Sequence, residues 1–174
     1  MLPTITAKNW RLTIGALVLT LGISACGAEE PKSVGLTGIV YNYSDEGYSW
    51  VKVNGKTAGT GLKKVAPGHV SGGGYMCCFD LPLGATKIEV FLQPSKTEGF
   101  TTTATIEKWW PDLAHYGVVH ILPGRKVVME IRSVETWPRK DLLDAQLKAL
   151  GILSAYDYTG PMNTGPLQRT DGLQ

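Results

Sequence analysis

The sequence has little charge and lacks the motifs of the common catalytic sites. Only 18% of its 174 residues are charged. No serine lies in the Gly-x-Ser-x-Gly elbow of a hydrolase, and no Gly-Lys-Ser/Thr step of a phosphate-binding loop follows the glycines at 72–74. The three histidines, His69, His115 and His120, form no ligand pattern and are interpreted as satisfied polar residues. We therefore predict no enzymatic activity and no metal site.

The main hydrophobic run is short. The stretch Leu12 to Gly22 is too short to span a bilayer as a helix, and with Lys8 and Arg11 before it the run has the pattern of an export signal. The run ends in Ile-Ser-Ala followed by Cys26, which resembles the lipobox of bacterial lipoproteins.

The lipobox resemblance implies cleavage before Cys26 and a diacylglycerol, with further acyl chains such as palmitate, on that residue. An ordinary secretory signal is the alternative. No aspartate directly follows Cys26, which favours the outer membrane, with the domain in the periplasm. Removal of residues 1–25 takes away Lys8 and Arg11 and leaves 15 basic and 15 acidic residues. Such a neutral chain disfavours nucleic acid and an anionic membrane surface as partners, and we predict no cofactor besides the covalent lipid.

The mature chain has the pattern of one mainly β domain. Residues 26–34 predict a lipidated tether, residues 35–158 a folded domain, and residues 159–174 a flexible tail. Seven segments separated by turn residues predict an antiparallel β-sandwich or small barrel, with strands at 36–43, 48–54, 75–81, 87–93, 101–107, 116–122 and 126–132. Leucines at helical spacing predict a C-terminal helix over 138–150. Glycines between Lys56 and Gly74 predict a long surface loop.

The adjacent cysteines Cys77 and Cys78 leave three interpretations open. In a regular strand their side chains point to opposite faces, with Cys77 in the core beside Phe79 and Leu81. The oxidising periplasm instead favours a vicinal disulfide, which needs a distorted or cis peptide because a trans peptide sets the α-carbons about 3.8 Å apart. A redox or metal role is the third interpretation, but the pair lacks Cys-x-x-Cys spacing.

Short motifs between residues 36 and 132 form the basis of a family resemblance. They are Asn42-Tyr43-Ser44, Val53-Asn54-Gly55, Gly72-Gly73-Gly74 before Cys77-Cys78 and Leu81-Pro82, and His120 with Leu122-Pro123-Gly124. In these motifs the chain resembles a family of short bacterial lipoproteins classed as a domain of unknown function. Members are often encoded near type VI secretion genes, beside phospholipase effectors of the α/β-hydrolase class. The resemblance implies an immunity protein that keeps such a lipase inactive.

The chain departs from the family at Leu83-Gly84-Ala85-Thr86, where a Trp and a Pro-Gly step are usual. Its partner is therefore expected to differ if this region is part of the binding surface.

Two surfaces are candidates for binding a partner. Trp109 and Trp110 begin a loop, where exposed tryptophans are costly unless covered, and tryptophan is a favoured interface anchor. The alternative is that they close the end of the core. Lys63, Lys64 and His69 mark the second candidate, in the predicted long loop, and the alternative there is a solvated loop.

The sequence thus predicts a monomeric, lipid-anchored β domain that occludes the active site of a secreted lipase. The competing class is a structural or ligand-binding lipoprotein of the cell envelope, which would hold a glycan or brace the outer membrane. An enzyme is the third class, and a histidine paired with a carboxylate in a closed pocket would support it.

Overall fold

The computed structural model describes residues 32–153 and 158–171. The predicted signal peptide and Cys26 lie outside the described residues, as does the predicted tether up to residue 31. Among the described residues, no helix has the length and apolar character needed to cross a membrane.

The described chain is mainly β, as predicted, with eight strands and one helix near its C-terminus. The elements are β1 (Ser33–Asn42), β2 (Tyr48–Val53), β3 (Lys56–Leu62), β4 (Ser71–Pro82), β5 (Lys87–Pro94), β6 (Phe100–Ile106), β7 (Tyr116–Leu122), β8 (Lys126–Arg132) and α1 (Lys140–Ala149). Short 3₁₀ turns occupy Pro111–Leu113 and Pro123–Arg125. The turn between β2 and β3 follows from its sequence, because Asn54 and Gly55 both take the positive φ that a two-residue hairpin needs.

The eight strands form one sheet in the order β3-β2-β5-β6-β8-β7-β1-β4. Its two edge strands, β3 and β4, lie beside each other, so the sheet curves into a nearly closed barrel. The pairs β1–β7 and β6–β8 are parallel and the other pairs are antiparallel. Gly72, in β4, permits close pairing with β1: its φ is +118°, and a Cβ there would collide with the carbonyl oxygen of Val40.

The strand directions define two ends of the barrel. The end that we term the mouth contains residues 43–47, 63–70, 95–99 and 123–125. The opposite end, which we term the closed end, contains residues 54–55, 83–86 and 107–115. The described chain starts at the closed end, where the carbonyl oxygen of Lys32 accepts a hydrogen bond of 2.8 Å from the backbone N–H of Leu83.

Two apolar clusters stabilise the domain. The larger one fills the barrel interior, and its members alternate along the strands, as Val51 and Val53 do in β2. The smaller one lies on the outer face of β1 and β7, where Ile39, Tyr41 and Val118 pack with Leu143 of α1. The chain after β8 therefore covers one outer face of the barrel.

The strand prediction was wrong in one region. The long loop predicted over residues 56–74 contains all of β3 and the start of β4, so only residues 63–70 connect the two strands. Sequence KTAGTGL has two glycines and little apolar content, which hid the strand. The other seven predicted strands are confirmed within a few residues of their ends.

The C-terminal helix is confirmed, although it begins at Lys140 and not at Pro138. Gly151, with φ of +71°, follows its last turn. The segment after it was predicted as a flexible tail, but its described residues 158–171 follow a defined path along the domain. Asn163 pairs with Arg139, the carbonyl oxygen of Gly165 accepts a hydrogen bond from Arg132, and Arg169 contacts Asp112 at the closed end.

Candidate functional site

The structure separates the two surfaces that the sequence proposed for binding. Lys63, Lys64 and His69 lie in the loop between β3 and β4, at the mouth. Trp109 and Trp110 lie in the loop between β6 and β7, at the closed end. One partner surface therefore does not combine the lysines with the tryptophans.

Trp109 closes the barrel. Its side chain packs against the interior cluster, and its indole N–H donates a hydrogen bond of 2.9 Å to the carbonyl oxygen of Ala85 in the loop between β4 and β5. This matches the alternative in which a tryptophan covers the end of the core.

Trp110 is engaged by cations of its own chain. The Lys108 ammonium lies 5.4 Å from the centre of its ring and the Arg169 guanidinium 5.8 Å. Two hydrogen bonds of 3.0 and 2.9 Å hold Arg169 to Asp112. Hydrogen bonds to Asp171 and Asp112 raise the pKa of the Arg169 guanidinium, so it stays charged beside the ring.

The mouth forms a broad groove of about 1100 Å³. Four connections surround it: the turn between β1 and β2, the start of the loop between β3 and β4, the turn between β5 and β6, and the turn between β7 and β8. Its charged lining residues are Asp45, Glu46, Lys63, Lys64, Lys96 and Arg125. Two of the three residues predicted in this loop, Lys63 and Lys64, thus line the groove.

Asn42 fixes the shape of this groove from below. Its buried side-chain amide donates to the carbonyl oxygens of Glu46 at 2.8 Å and Lys63 at 2.9 Å. Its Oδ1 accepts from the backbone N–H of Ser44 at 3.0 Å and from the Ser44 hydroxyl at 2.8 Å. One buried side chain thus joins the turn after β1 to the end of β3.

Further hydrogen bonds connect the remaining walls. The backbone N–H of Val65 donates to Ser44, and that of Ser95 donates to Gly47, both over 2.9 Å. The groove is therefore built from loops that brace one another, and preorganisation of this kind lowers the entropy cost of binding.

Arg125 and Glu46 form the ion pair of the groove. The guanidinium donates to both carboxylate oxygens at 3.1 and 3.0 Å, and this contact raises the pKa of Arg125. The Tyr48 hydroxyl donates to the same carboxylate at 3.1 Å, and burial is the main reason that the pKa of Tyr48 rises to about 12. Glu46 is consequently occupied by its own neighbours.

The three lysines of the groove differ from Arg125. Within residues 32–153 and 158–171, Lys63, Lys64 and Lys96 are exposed and form no ion pair. Asp45, the remaining acid of the groove, is also exposed. Once the Arg125–Glu46 pair is set aside, the groove holds three lysines and one aspartate.

The structure joins Cys77 and Cys78 in a disulfide across a cis peptide bond. Both residues are exposed, so the interpretation of Cys77 as a core residue is wrong, whereas Phe79 and Leu81 are buried as predicted. The pair lies at a β-bulge, since the register between β1 and β4 shifts between Leu36 and Gly38. The chain remains a strand through the pair because the bulge absorbs the irregular pairing.

A polar network that the sequence did not reveal lies between the outer face of the barrel and the chain after β8. His120 is fully buried and contacts Tyr43 through Nδ1 at 3.1 Å and Glu130 through Nε2 at 3.1 Å. The Tyr43 hydroxyl accepts the backbone N–H of Arg139 at 2.8 Å. We infer that this hydroxyl donates to Nδ1 and that His120 Nε2–H donates to Glu130.

Arg139 is the centre of this network, with a side chain only 2% exposed. Its guanidinium contacts Glu107 at 2.7 Å, Asp141 at 2.6 Å and Glu130 at 3.2 Å. Burial would lower the pKa of Arg139, but hydrogen bonds to Asp141 and Glu107 raise it above its ordinary value. Arg139 therefore fastens the chain after β8 to β6 and β8.

Glu130 is the matching buried anion. Burial would raise the pKa of its carboxyl, but the hydrogen bond from His120 and the charges of Arg132 and Arg139 hold the pKa below its ordinary value. Burial also raises the pKa of the Tyr43 hydroxyl. His120 is thus paired with a carboxylate, but both side chains are buried and neither lines the mouth groove, which agrees with the interpretation of His120 as a satisfied polar residue.

The other two histidines contact backbone carbonyls. His69 Nδ1 lies 3.2 Å from the Pro67 oxygen, and His115 Nδ1 lies 3.0 Å from the Ser133 oxygen. In the part of the chain that the structure describes, no group of three His, Cys, Asp or Glu side chains has the arrangement of a metal site. The mouth groove is therefore the candidate functional site.

No family model, curated protein or solved structure matches this chain. The fold and the groove define a small, nearly closed β-barrel domain with a braced polar mouth.

Proposed function

We propose that the mature chain is a lipid-anchored binding protein of the cell envelope and that it neutralises a secreted lipase effector by covering the entrance to its active site. The observation that supports this most strongly is the position of the mouth groove, which lies at the end of the barrel opposite the start of the described chain.

The geometry suits a protein held by its N-terminus. Lys32 is the sixth residue after Cys26, and a chain of that length reaches about 20 Å at most. A lipid on Cys26 would therefore keep the closed end near the membrane. Strands of 6 to 12 residues, which rise about 3.3 Å per residue, span about 20 to 40 Å between the closed end and the mouth.

The braced groove suits binding more than it suits chemistry. Its loops are joined by hydrogen bonds from Asn42, Ser95 and Val65, so a partner meets a preformed surface. A protruding loop of the lipase would enter the groove, and the surrounding turns would lie over the lipase surface and keep lipid from its active site.

Capture with a candidate α/β-hydrolase effector from the same bacterium tests the proposal. Immobilised mature chain is expected to retain the hydrolase, and co-expression in the periplasm is expected to abolish its toxicity. Lys63→Glu with Lys64→Glu should weaken both effects, while the matched pair Lys56→Glu with Lys87→Glu, at the closed end, should not. The proposal fails if the hydrolase is not retained and its toxicity is undiminished.

A second candidate function, glycan binding, has one observation in its favour. Trp50 is 49% exposed on the outer face of β2, beside Gln93 of β5, and Phe91 lies one pair further along that face. An exposed indole on the outer face of a sheet can stack on a sugar ring. Titration with soluble peptidoglycan fragments should shift the Trp50 indole resonance in NMR spectra, and Trp50→Ala should abolish binding. Unchanged spectra would contradict this function.

A further inference from the structure

The mouth groove also indicates which chemical group it receives. We infer that the groove binds an acidic segment of a protein partner, with Lys63, Lys64 and Lys96 as its contacts. This deepens the proposed function and rests on it for the identity of the partner, although the charge of the groove is an independent observation.

The charge of the groove differs from that of the mature chain as a whole. The mature chain is neutral overall, with 15 basic and 15 acidic residues, so a local excess of lysine is a feature of this surface and not of the whole molecule. Three exposed lysines face one exposed aspartate in the groove, and no ion pair engages them among the described residues. Complementary charge of this kind steers association and selects partners.

Hydrogen bonds fix the backbone of the loops that carry the lysines. The backbone oxygen of Lys63 accepts two hydrogen bonds, one from the buried Asn42 amide at 2.9 Å and one from the Ser71 hydroxyl at 2.6 Å. The turn with Lys96 is fastened through Ser95 to Gly47. The two lysine-bearing loops that line the groove are thus both fixed by hydrogen bonds to the turn after β1 or to its Asn42 anchor.

The size and position of the groove indicate the kind of anion that it binds. A groove of about 1100 Å³ is far larger than a single phosphate requires. The groove also lies at the end of the barrel opposite the start of the described chain, which favours a protein over the membrane surface as its occupant. An acidic loop or terminus of a protein matches the size, the charge and the position.

A defined probe tests the inference. The mature chain with Cys26→Ser, which carries no lipid, is labelled with ¹⁵N and titrated with a peptide that has six glutamates in a Gly-Ser background. We expect amide shifts at Lys63, Lys64 and Lys96, and affinity that falls as salt is raised from 50 to 500 mM. The same peptide with glutamine in place of glutamate is the control and should not bind.

Charge reversal locates the effect. Lys63→Glu, Lys64→Glu and Lys96→Glu together should lower the affinity at least about tenfold. The matched triple Lys56→Glu, Lys87→Glu and Lys148→Glu makes the same change of net charge away from the groove and should retain binding. Equal loss in both triples would overturn the inference, because it would show a response to net charge alone.

Other anions complete the test. Inorganic phosphate should not compete with the glutamate peptide at equal concentration, and vesicles with phosphatidylglycerol should not bind through these lysines. Competition by phosphate, or binding to vesicles but not to the peptide, would overturn the inference. Peptide binding without capture of the hydrolase would sustain the groove assignment and refute the lipase as partner. Capture that survives the lysine triple would refute the groove assignment alone.

Discussion

Replacement of Arg139 by methionine tests the buried network most sharply. The guanidinium is 2% exposed and contacts three carboxylates. Methionine keeps much of the side-chain volume but supplies neither charge nor hydrogen bonds. The contacts to Glu107 and Asp141 are lost, and Glu130 keeps only His120 and Arg132 as partners.

The expected loss in the free energy of unfolding follows from how deeply each carboxylate is buried. Glu107 and Asp141 are 24% and 39% exposed, so water replaces part of what they lose. Glu130 is 1% exposed, and its charge would remain buried without its Arg139 partner. Removal of one partner from a buried ion pair typically costs about 3 to 5 kcal/mol. Because Arg132 still contacts Glu130 at 2.9 Å, we expect the lower value, about 3 kcal/mol.

Urea unfolding followed by circular dichroism measures this loss. A slope of about 2 kcal/mol per M converts the loss to a fall of about 1.5 M in the midpoint. Lys140→Met is the matched control, since it removes the exposed Lys140–Asp144 pair beside Arg139 and should cost less than about 0.5 kcal/mol.

A double variant separates charge from packing. Addition of Glu130→Gln to Arg139→Met removes the buried charge and should restore part of the lost free energy of unfolding. A loss below about 1 kcal/mol for Arg139→Met, or a double variant whose loss equals the sum of the single losses, would refute the reasoning.

Three further predictions concern pH, the mouth and the pairing of β4 with β1. The pKa values of Glu130 and Asp141 are lower in the folded chain than in the unfolded chain. Both carboxylates therefore stabilise the fold at a pH above their unfolded pKa values, and this stabilisation is lost as the pH falls through their folded pKa values. Unfolding should need less urea at pH 3 than at pH 6, and equal midpoints would contradict this. Asn42→Ala removes four hydrogen bonds and should cost about 2 to 4 kcal/mol, with faster amide exchange at the mouth as the check; unchanged exchange there would show that Asn42 does not brace the groove. Gly72→Ala should cost about 2 to 5 kcal/mol in urea unfolding because of its positive φ and the collision with Val40, whereas Gly74→Ala, which meets nothing within 4 Å, should change stability by less than about 0.5 kcal/mol; similar losses in both would contradict the prediction.

Local sequence signals predicted the features of the fold that depend on residues close together in the sequence. The alternation in β2, the Asn54-Gly55 turn and the leucines of α1 each act within a few residues, and each is confirmed. Strand β3 was missed because one of its glycines, Gly59, serves a close approach to another strand: a Cβ there would collide with the side chain of Val40 in β1. No local pattern contains that information.

The polar network and the groove depend on contacts between distant residues. Arg139 lies 96 residues from Tyr43 and 32 from Glu107 in the sequence, and only the sheet order brings them together. Lys63 was predicted to lie on the surface. Its position in the same groove as Lys96 could not be predicted, because it depends on which loops the sheet brings to the mouth.

The motifs behind the family resemblance have structural roles. Asn42 braces the mouth, Tyr43 and His120 belong to the buried network, and Gly72 permits the close pairing of β4 with β1. Residues of this kind preserve a scaffold. We therefore expect the lysines of the mouth, which the motifs do not include, to supply the main contacts to a partner.

The decisive measurement for the proposed mode of binding is amide hydrogen exchange of the mature chain with and without a candidate hydrolase effector that it captures. We expect protection at residues 43–49, 61–64, 95–97 and 124–125, with no change at 83–86 and 107–112. Protection confined to the closed end around Trp109 and Trp110, or no protection at all, would contradict it.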